Sequence, residues 1–265
     1  MHPLDGCRAK IERASLHLRE FGDRVRSFTD QAPYKVRGEH HSDTNEIVFV
    51  AEANHACPPI PLDLALIAGE VAHQLRSALD HLVWQLVVAH TGQPPQGTKS
   101  GFPIFKTEAG YQQRAGSMIV GVSDRARERI RAAQPFHLDG DAECALTWVV
   151  HELNNTDKHR LIPVAVEHTS VGSVVMTTDD GVVTELLPWQ EHVREPLRDG
   201  VEVARAQIPD GASGAQFDIP LGFDVAFEQL GDVRRHPASD LLEKAVRYVN
   251  DLVESFRGEF PRDVR

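Results

Sequence analysis

The chain is poor in the features that announce an activity. Its 265 residues hold three cysteines, Cys7, Cys57 and Cys144, an odd number, far apart and in no CxxC pair, which argues against a disulfide framework and a zinc ribbon. Aromatic residues make up 6% of the sequence, and Trp84, Trp148 and Trp189 are too dispersed to form a stacking platform for single strands. There is no GxGxxG, P-loop, GxSxG elbow or EF-hand loop, so nucleotide-dependent, serine-hydrolase and calcium chemistry have no anchor and no cofactor is expected. Positive charge is short: 28 Lys and Arg stand against 39 Asp and Glu, a net charge of −11. The surface as a whole therefore repels nucleic acid and anionic membrane, and a polyanion would need a local basic patch. Long apolar runs are missing as well. The most apolar stretch, 62–90, is broken by Glu70, His73, Arg76, Asp80 and His81, and the opening MHPLDGCRAKIER has no apolar core. We expect a cytoplasmic protein with no membrane association.

What is present is an ordinary globular composition, 41% hydrophobic and 25% charged with 19 Gly and 16 Pro, in a chain long enough to build a core without staples. Ile11, Leu16, Leu18, Phe21, Val25 and Phe28 predict an amphipathic helix over 5–29. YKVRGEHHSDTNEIVFVAEA predicts a hairpin turning at 42–45. After Pro58, Pro59 and Pro61 the longest helix is expected over 62–91, its core stripe running through Ala68, Val71, Ala72, Leu75, Leu79, Leu82, Val83 and Leu86. Helices over 107–115 and 123–133 follow, the second capped by Ser123. A helix over 141–159 buries Leu146, Val149, Val150 and Leu153. The pattern then switches to period two, predicting four to six strands over 161–228, with turns at Asp179-Asp180-Gly181 and at PDGAS. A last helix, 239–257, should pack back onto the earlier ones. The fold class is α+β: a helical half, 1–160, carrying the early hairpin, a β-rich region, 161–228, and a closing helix in 229–265, joined as one domain.

Two segments hold residues unusual for a helix, HQLRSALDHLVWQL (73–86) and HELNNTDKHR (151–160). Helical projection puts Arg76 about 80° from the centre of the core stripe, at the boundary with water, with Asp80 one turn later on the same side. In the second segment the core stripe continues onto Asp157 and Arg160. Inward charges must be paired, because isolated burial costs several kcal/mol. We therefore expect a cross-helix network of Arg76 and Asp80 with Asp157 and Arg160, flanked by Asn154 and Lys158, serving either as a structural joint in a non-catalytic binding or scaffold protein or as the wall of a site.

LRSALDHLVWQL, FPIF at 102–105 and LNNTDKHR together resemble a widespread set of bacterial proteins of uncharacterised activity, over roughly residues 60–162. Arg76-Ser-Ala-Leu-Asp-His81 is also similar to the R-x4-6-H motif of HEPN domains, helical bundles many of which are metal-independent ribonucleases in toxin and antiphage systems. That resemblance implies RNA as substrate, a homodimer, and Arg76, His81 and Asp80 as the catalytic group. The chemistry is sensible, with a histidine as general base for the 2′-OH and a guanidinium for the charge developing on phosphate. Five residues are about 140° of a straight helix, so Arg76 and His81 meet only through a distortion or a dimer mate. A further reading is a metal site in a helical bundle, for which His73, His151 and His159 would supply nitrogen ligands beside Asp80 and Asn155. An HExxH signature is lacking, since Asn155 stands where its second histidine would be.

Overall fold

The computed structural model describes residues 2–95, 100–137, 142–171, 173–179, 181–186, 188, 196–209, 216–219, 221–228 and 237–260. Asp141, Asp180, Trp189, the Cys144 side chain and the turn expected at PDGAS fall outside them. The class is α+β, and the chain divides into two compact units: Met1–Gly22, Ala65–Ile162 and Ser239–Arg265 form one, and Asp23–Leu64 with Pro163–Ala238 form the other.

The first unit is helical. Helix α1 (Asp5–Thr29) begins it, its core positions Leu4, Cys7, Ile11, Ala14 and Phe21 falling at steps of three to four, except for one place taken by His17. Leu16, read as part of the apolar stripe, is 43% exposed, and His17 turns inward and pairs with Glu70 at 3.0 Å. Burial pushes the Cys7 thiol up to about 11, which makes it an inert core residue.

Helix α2 (Leu62–Thr91) is uninterrupted, and every residue of its predicted stripe is buried. It ends at Gly92, whose φ of +71° and N–H bond to the Val88 carbonyl make a left-handed cap. Helix α3 (Glu108–Met118) is capped by Thr107 and runs three residues beyond its expected end. Helix α4 (Asp124–Ala132) is capped by Ser123 as anticipated. Helix α5 (Ala142–His159) buries Leu146, Val149, Val150 and Leu153. Helix α6 (Ala238–Ser255) continues into a 3-10 turn, Phe256–Glu259. It returns to the earlier helices: Arg8 donates to both oxygens of Glu254 at 2.6 and 2.9 Å, and the Arg129 guanidinium lies over Phe256.

The second unit is built on strands β1 (Tyr34–His41), β2 (Glu46–Ala53), β3 (Val164–Val171), β4 (Val174–Thr177), β5 (Val183–Leu186), β6 (Glu202–Gln207), β7 (Gln216–Asp218) and β8 (Leu221–Phe227). All pairs are antiparallel, in sheets ordered β1-β2-β6, β3-β8 and β5-β4-β7. The early hairpin, expected inside the helical stretch, instead pairs through β2 with β6. Asn45 closes its turn with φ +55° and donates from Nδ2 to the Ile208 carbonyl. Phe49, Val166, Val174, Met176, Ala206 and Ile208 fill the core of this unit. Gly181, at φ +80°, turns β4 into β5 as read from the sequence.

Within the helical unit, α2 and α5 meet where α2 has no side chain. A Cβ on Gly69 would overlap the Asp157 carboxylate. Gly69→Ala is accordingly expected to lower stability by about 1–3 kcal/mol in urea unfolding. Adding Asp157→Ala should restore most of the loss, and a double variant no more stable than the single would place the clash elsewhere.

Candidate functional site

The site grows from one side-chain pair. Arg76 and Asp80, one turn apart on α2, form a two-point ion pair, Nε to Oδ2 at 3.2 Å and Nη2 to Oδ1 at 2.8 Å. Together they hold both polar groups of Phe102: Arg76 Nη2 donates to its carbonyl at 2.7 Å, and its N–H donates to Asp80 Oδ1 at 2.8 Å. Phe102 belongs to FPIF, a segment with no regular structure yet with Phe102, Pro103, Ile104 and Phe105 buried. Its backbone cannot reach water, so side chains must satisfy it. The wholly buried Gln134 supplies two more bonds, accepting from the Phe105 N–H at 3.1 Å and donating to the Pro103 carbonyl at 2.7 Å. Sequence reasoning missed Gln134, for which the available signal was a long amide directly before Pro135.

This clamp forms one wall of a cavity of about 390 Å³, lined by Arg76, the 102–107 segment (Pro103 excepted), Arg114 and Met118 of α3, and Trp148 and His151 of α5. That volume is in the range of small-molecule clefts, roughly 300–1,000 Å³. Among the described residues the lining carries three cations and a histidine and no carboxylate. The two outer cations lie over aromatic rings, Lys106 Nζ 4.5 Å from the centre of Trp148 and the Arg114 guanidinium 4.6 Å from that of Phe105.

Two nitrogens in this lining are buried and have no hydrogen-bond partner, Arg76 Nη1 and His151 Nδ1. Their chemistry follows from their neighbours. Arg76 is 13% exposed at the side chain, and its other two nitrogens are engaged by Asp80 and Phe102. Asn155 Nδ2 stands 2.9 Å from His151 Nε2. An amide nitrogen only donates, so Nε2 accepts and the neutral ring carries its proton on Nδ1. Burial first, then the positive charges of Arg76, Lys158 and Arg114, hold the His151 pKa down to about 4. At neutral pH two residues of the wall thus each carry an N–H donor that is shielded from solvent and has no partner among the described residues, one of them charged.

The expected cross-helix network does not form. Among the described residues no ion pair joins Arg76 or Asp80 to Asp157 or Arg160; Asp157 does reach α2, but at Gly69. Arg160 lies one residue past the end of α5 and is exposed, as are Lys158 and His159. Asn154 is 2% exposed and sits in the core. His81 is exposed on α2, its Nδ1 3.7 Å from where a Cβ on Gly6 of α1 would stand. As α2 is regular through both residues, Arg76 and His81 diverge within one chain. His73 is exposed, and among the described residues no three His, Cys, Asp or Glu side chains are gathered as metal ligands, so His73, His151 and His159 do not converge. A second cavity, about 290 Å³ in the β-containing unit, is lined by Tyr34, Cys57, Pro58, Pro59 and their neighbours, with the Tyr34 hydroxyl already donating to the Leu197 carbonyl. Among the described residues its lining has one cation, Arg198, and no comparable cluster of charged donors.

The clamp predicts its own energetics. Asp80→Ala strands the Phe102 N–H and the Arg76 charge together and is expected to cost about 1–3 kcal/mol in urea unfolding, with Asp80→Asn, which keeps an acceptor, costing less. His151 predicts a pH dependence. Between its unfolded value of 6.5 and its folded value of about 4, the unfolded chain binds a proton that the folded chain refuses, so stability falls as pH drops through this window. His151→Phe should flatten that slope in thermal unfolding followed from pH 7 to 4 and leave the pH 7–8 region unchanged.

Compared with known proteins, the chain matches no family model, no curated protein and no solved structure.

Proposed function

We propose that the cleft between α2, the 102–107 segment, α3 and α5 binds a small organic anion, a phosphate ester being the best chemical match. The observation that carries this reading is the pair of buried, unused donors, Arg76 Nη1 and His151 Nδ1, in a lining that holds Lys106 and Arg114 and no described carboxylate. An unpaired buried donor costs about 1–3 kcal/mol, and an anionic oxygen admitted to them by a shift of the surrounding side chains removes the cost. Charge-assisted bonds of this kind are about twice as strong as neutral ones. Lys106 and Arg114, both exposed, supply the remaining neutralisation from the rim. A bound anion also favours the protonated imidazole, the added proton entering at Nε2 as the Asn155 amide turns its oxygen toward it, so binding strengthens as pH falls toward 5.

Binding fits this arrangement better than general-base catalysis, because burial and the neighbouring cations hold the His151 pKa down to about 4 and make it a weak proton acceptor near neutral pH. The metal-independent ribonuclease reading keeps Arg76 as its phosphate-binding cation, and it requires a homodimer in which a second chain brings its own His81 to this cleft. One experiment separates the two. Purified protein is titrated calorimetrically with glycerol 3-phosphate at pH 6 and pH 8, and incubated with bulk RNA in excess EDTA. The binding reading expects saturable uptake, tighter at pH 6, weakened about tenfold by His151→Phe and by Arg114→Gln, with RNA left intact. RNA cleavage in EDTA that His81→Ala abolishes and His151→Phe spares would establish the ribonuclease instead. A folded wild type that takes up no phosphate ester at either pH overturns the binding reading.

A further inference from the structure

Resting on that anion site, we infer that its ligand carries a flat ring, seated on the Trp148 face that Lys106 covers. The cleft contains more apolar surface than an inorganic anion needs: Phe102, Ile104, Phe105, Met118 and Trp148 all line it. Of these only Trp148 is both half-buried and covered by a side chain that is free to leave. Lys106 is exposed, on a four-carbon stem, and holds its ammonium 4.5 Å over the indole. A contact of this type at an exposed site is worth only about 0.5–1 kcal/mol. An anion entering beside Arg76 and His151 offers the ammonium a better partner. When Lys106 swings to it, the indole face opens in the same motion, next to the bound charge.

The rest of the wall fits that seat. The His151 ring lies 5.2 Å from Trp148, tilted by 40°, so the imidazole that bonds the anion also buttresses the indole and fixes the distance between charge and ring. Arg114 repeats the arrangement at the opposite rim, its guanidinium over Phe105. Phe105 is itself held edge-on by Tyr111 at 6.2 Å and buried to 9% exposure, so Arg114 closes over the anion without opening a second seat of the same depth. The fitting chemical class is a phosphate monoester that carries an aromatic ring, of which a nucleoside monophosphate, its ring borne on the sugar, is one source and a small aryl phosphate another.

The test compares three probes of equal head group by calorimetry at pH 6: phenyl phosphate, adenosine 5′-monophosphate and glycerol 3-phosphate. Wild type is expected to bind at least one ring-bearing probe about tenfold more tightly than glycerol 3-phosphate, the size of a single stacking contact. Which of the two it prefers identifies the source. In Trp148→Leu the advantage of the ring should vanish while glycerol 3-phosphate still binds. In Lys106→Ala, glycerol 3-phosphate should weaken while the ring's advantage is kept or grows, since the cover has gone with the charge. Because Trp148→Leu also removes packing, a second readout uses the intact side chain. With Trp84 and Trp189 replaced by Phe, the remaining indole fluorescence should respond to phenyl phosphate and not to glycerol 3-phosphate. Equal affinity of all three probes for wild type, or a ring advantage that survives Trp148→Leu, overturns the inference and leaves the anion site standing. Failure of every probe to bind removes both.

Discussion

The helical unit depends on one ion pair taking hold of both backbone groups of one residue. Arg76 and Asp80 grip the carbonyl and the N–H of Phe102 at once, and this is what permits an irregular segment to lie buried beside α2. Strands and helices satisfy their own backbone; FPIF cannot, and without these side chains its burial would cost more than its apolar residues return. The pair needs no other element to bring it together: a carboxylate four residues after an arginine lies on the same helix face. Using three acceptors, Asp80 Oδ1, Asp80 Oδ2 and the Phe102 carbonyl, the clamp engages two of the three guanidinium nitrogens. The third, Nη1, is left over by geometry. A structural joint thereby produces, as its residue, a fixed cation with one unused donor in the wall of a cleft.

Gln134 extends the same logic along the segment. With bonds to Pro103 and Phe105, and a further one from Nε2 to the Ile130 carbonyl at 3.0 Å, it fixes the chain just before Lys106 and Thr107. The rim lysine therefore springs from an anchored backbone, and its freedom is confined to its own side-chain torsions. A flexible arm on a rigid base suits a group that has to exchange an indole face for an anion, because little backbone order has to be purchased when it moves.

The elements of the fold were largely legible, and the partners of the charged residues were not, for a definable reason. Periodicity reports which face of a helix a residue occupies. It placed Arg76 at the boundary of the α2 core stripe and Asp157 on the inner face of α5, and both assignments agree with the burial of these residues. It says nothing about height along the axis when two helices meet. Asp157 reaches α2 at Gly69, seven residues or about 10 Å before Arg76, because a glycine there leaves room for a carboxylate. Arg160 failed differently: its N–H still closes the last turn of α5 on the Thr156 carbonyl at 2.9 Å, but its side chain is exposed there. His151 was read only as a possible metal ligand. Its role needs its surroundings: Asn155 and Trp148 lie one turn to either side on the same helix, but Arg76 and Arg114 come from other helices, which the spacing along α5 does not display. Leu16 and His17 exchanged places because a histidine with an acidic partner on the neighbouring helix is as acceptable inside as a leucine.

The charge balance of the whole chain bears on what the cleft admits. A net charge of −11 opposes the approach of any long polyanion, whose phosphates would meet the acidic surface on every side. The cleft inverts that sign only locally, and at physiological ionic strength its cations are felt over about 8 Å. A small ester can enter wholly within that distance and leave the repulsive field behind, whereas a nucleic-acid strand would keep most of its charge in it. Arg76, Lys106, Arg114 and the titratable His151 are enough for one phosphate group and too few for a backbone. On the proposed anion-binding reading, the same acidity favours a small anion over a long polyanion.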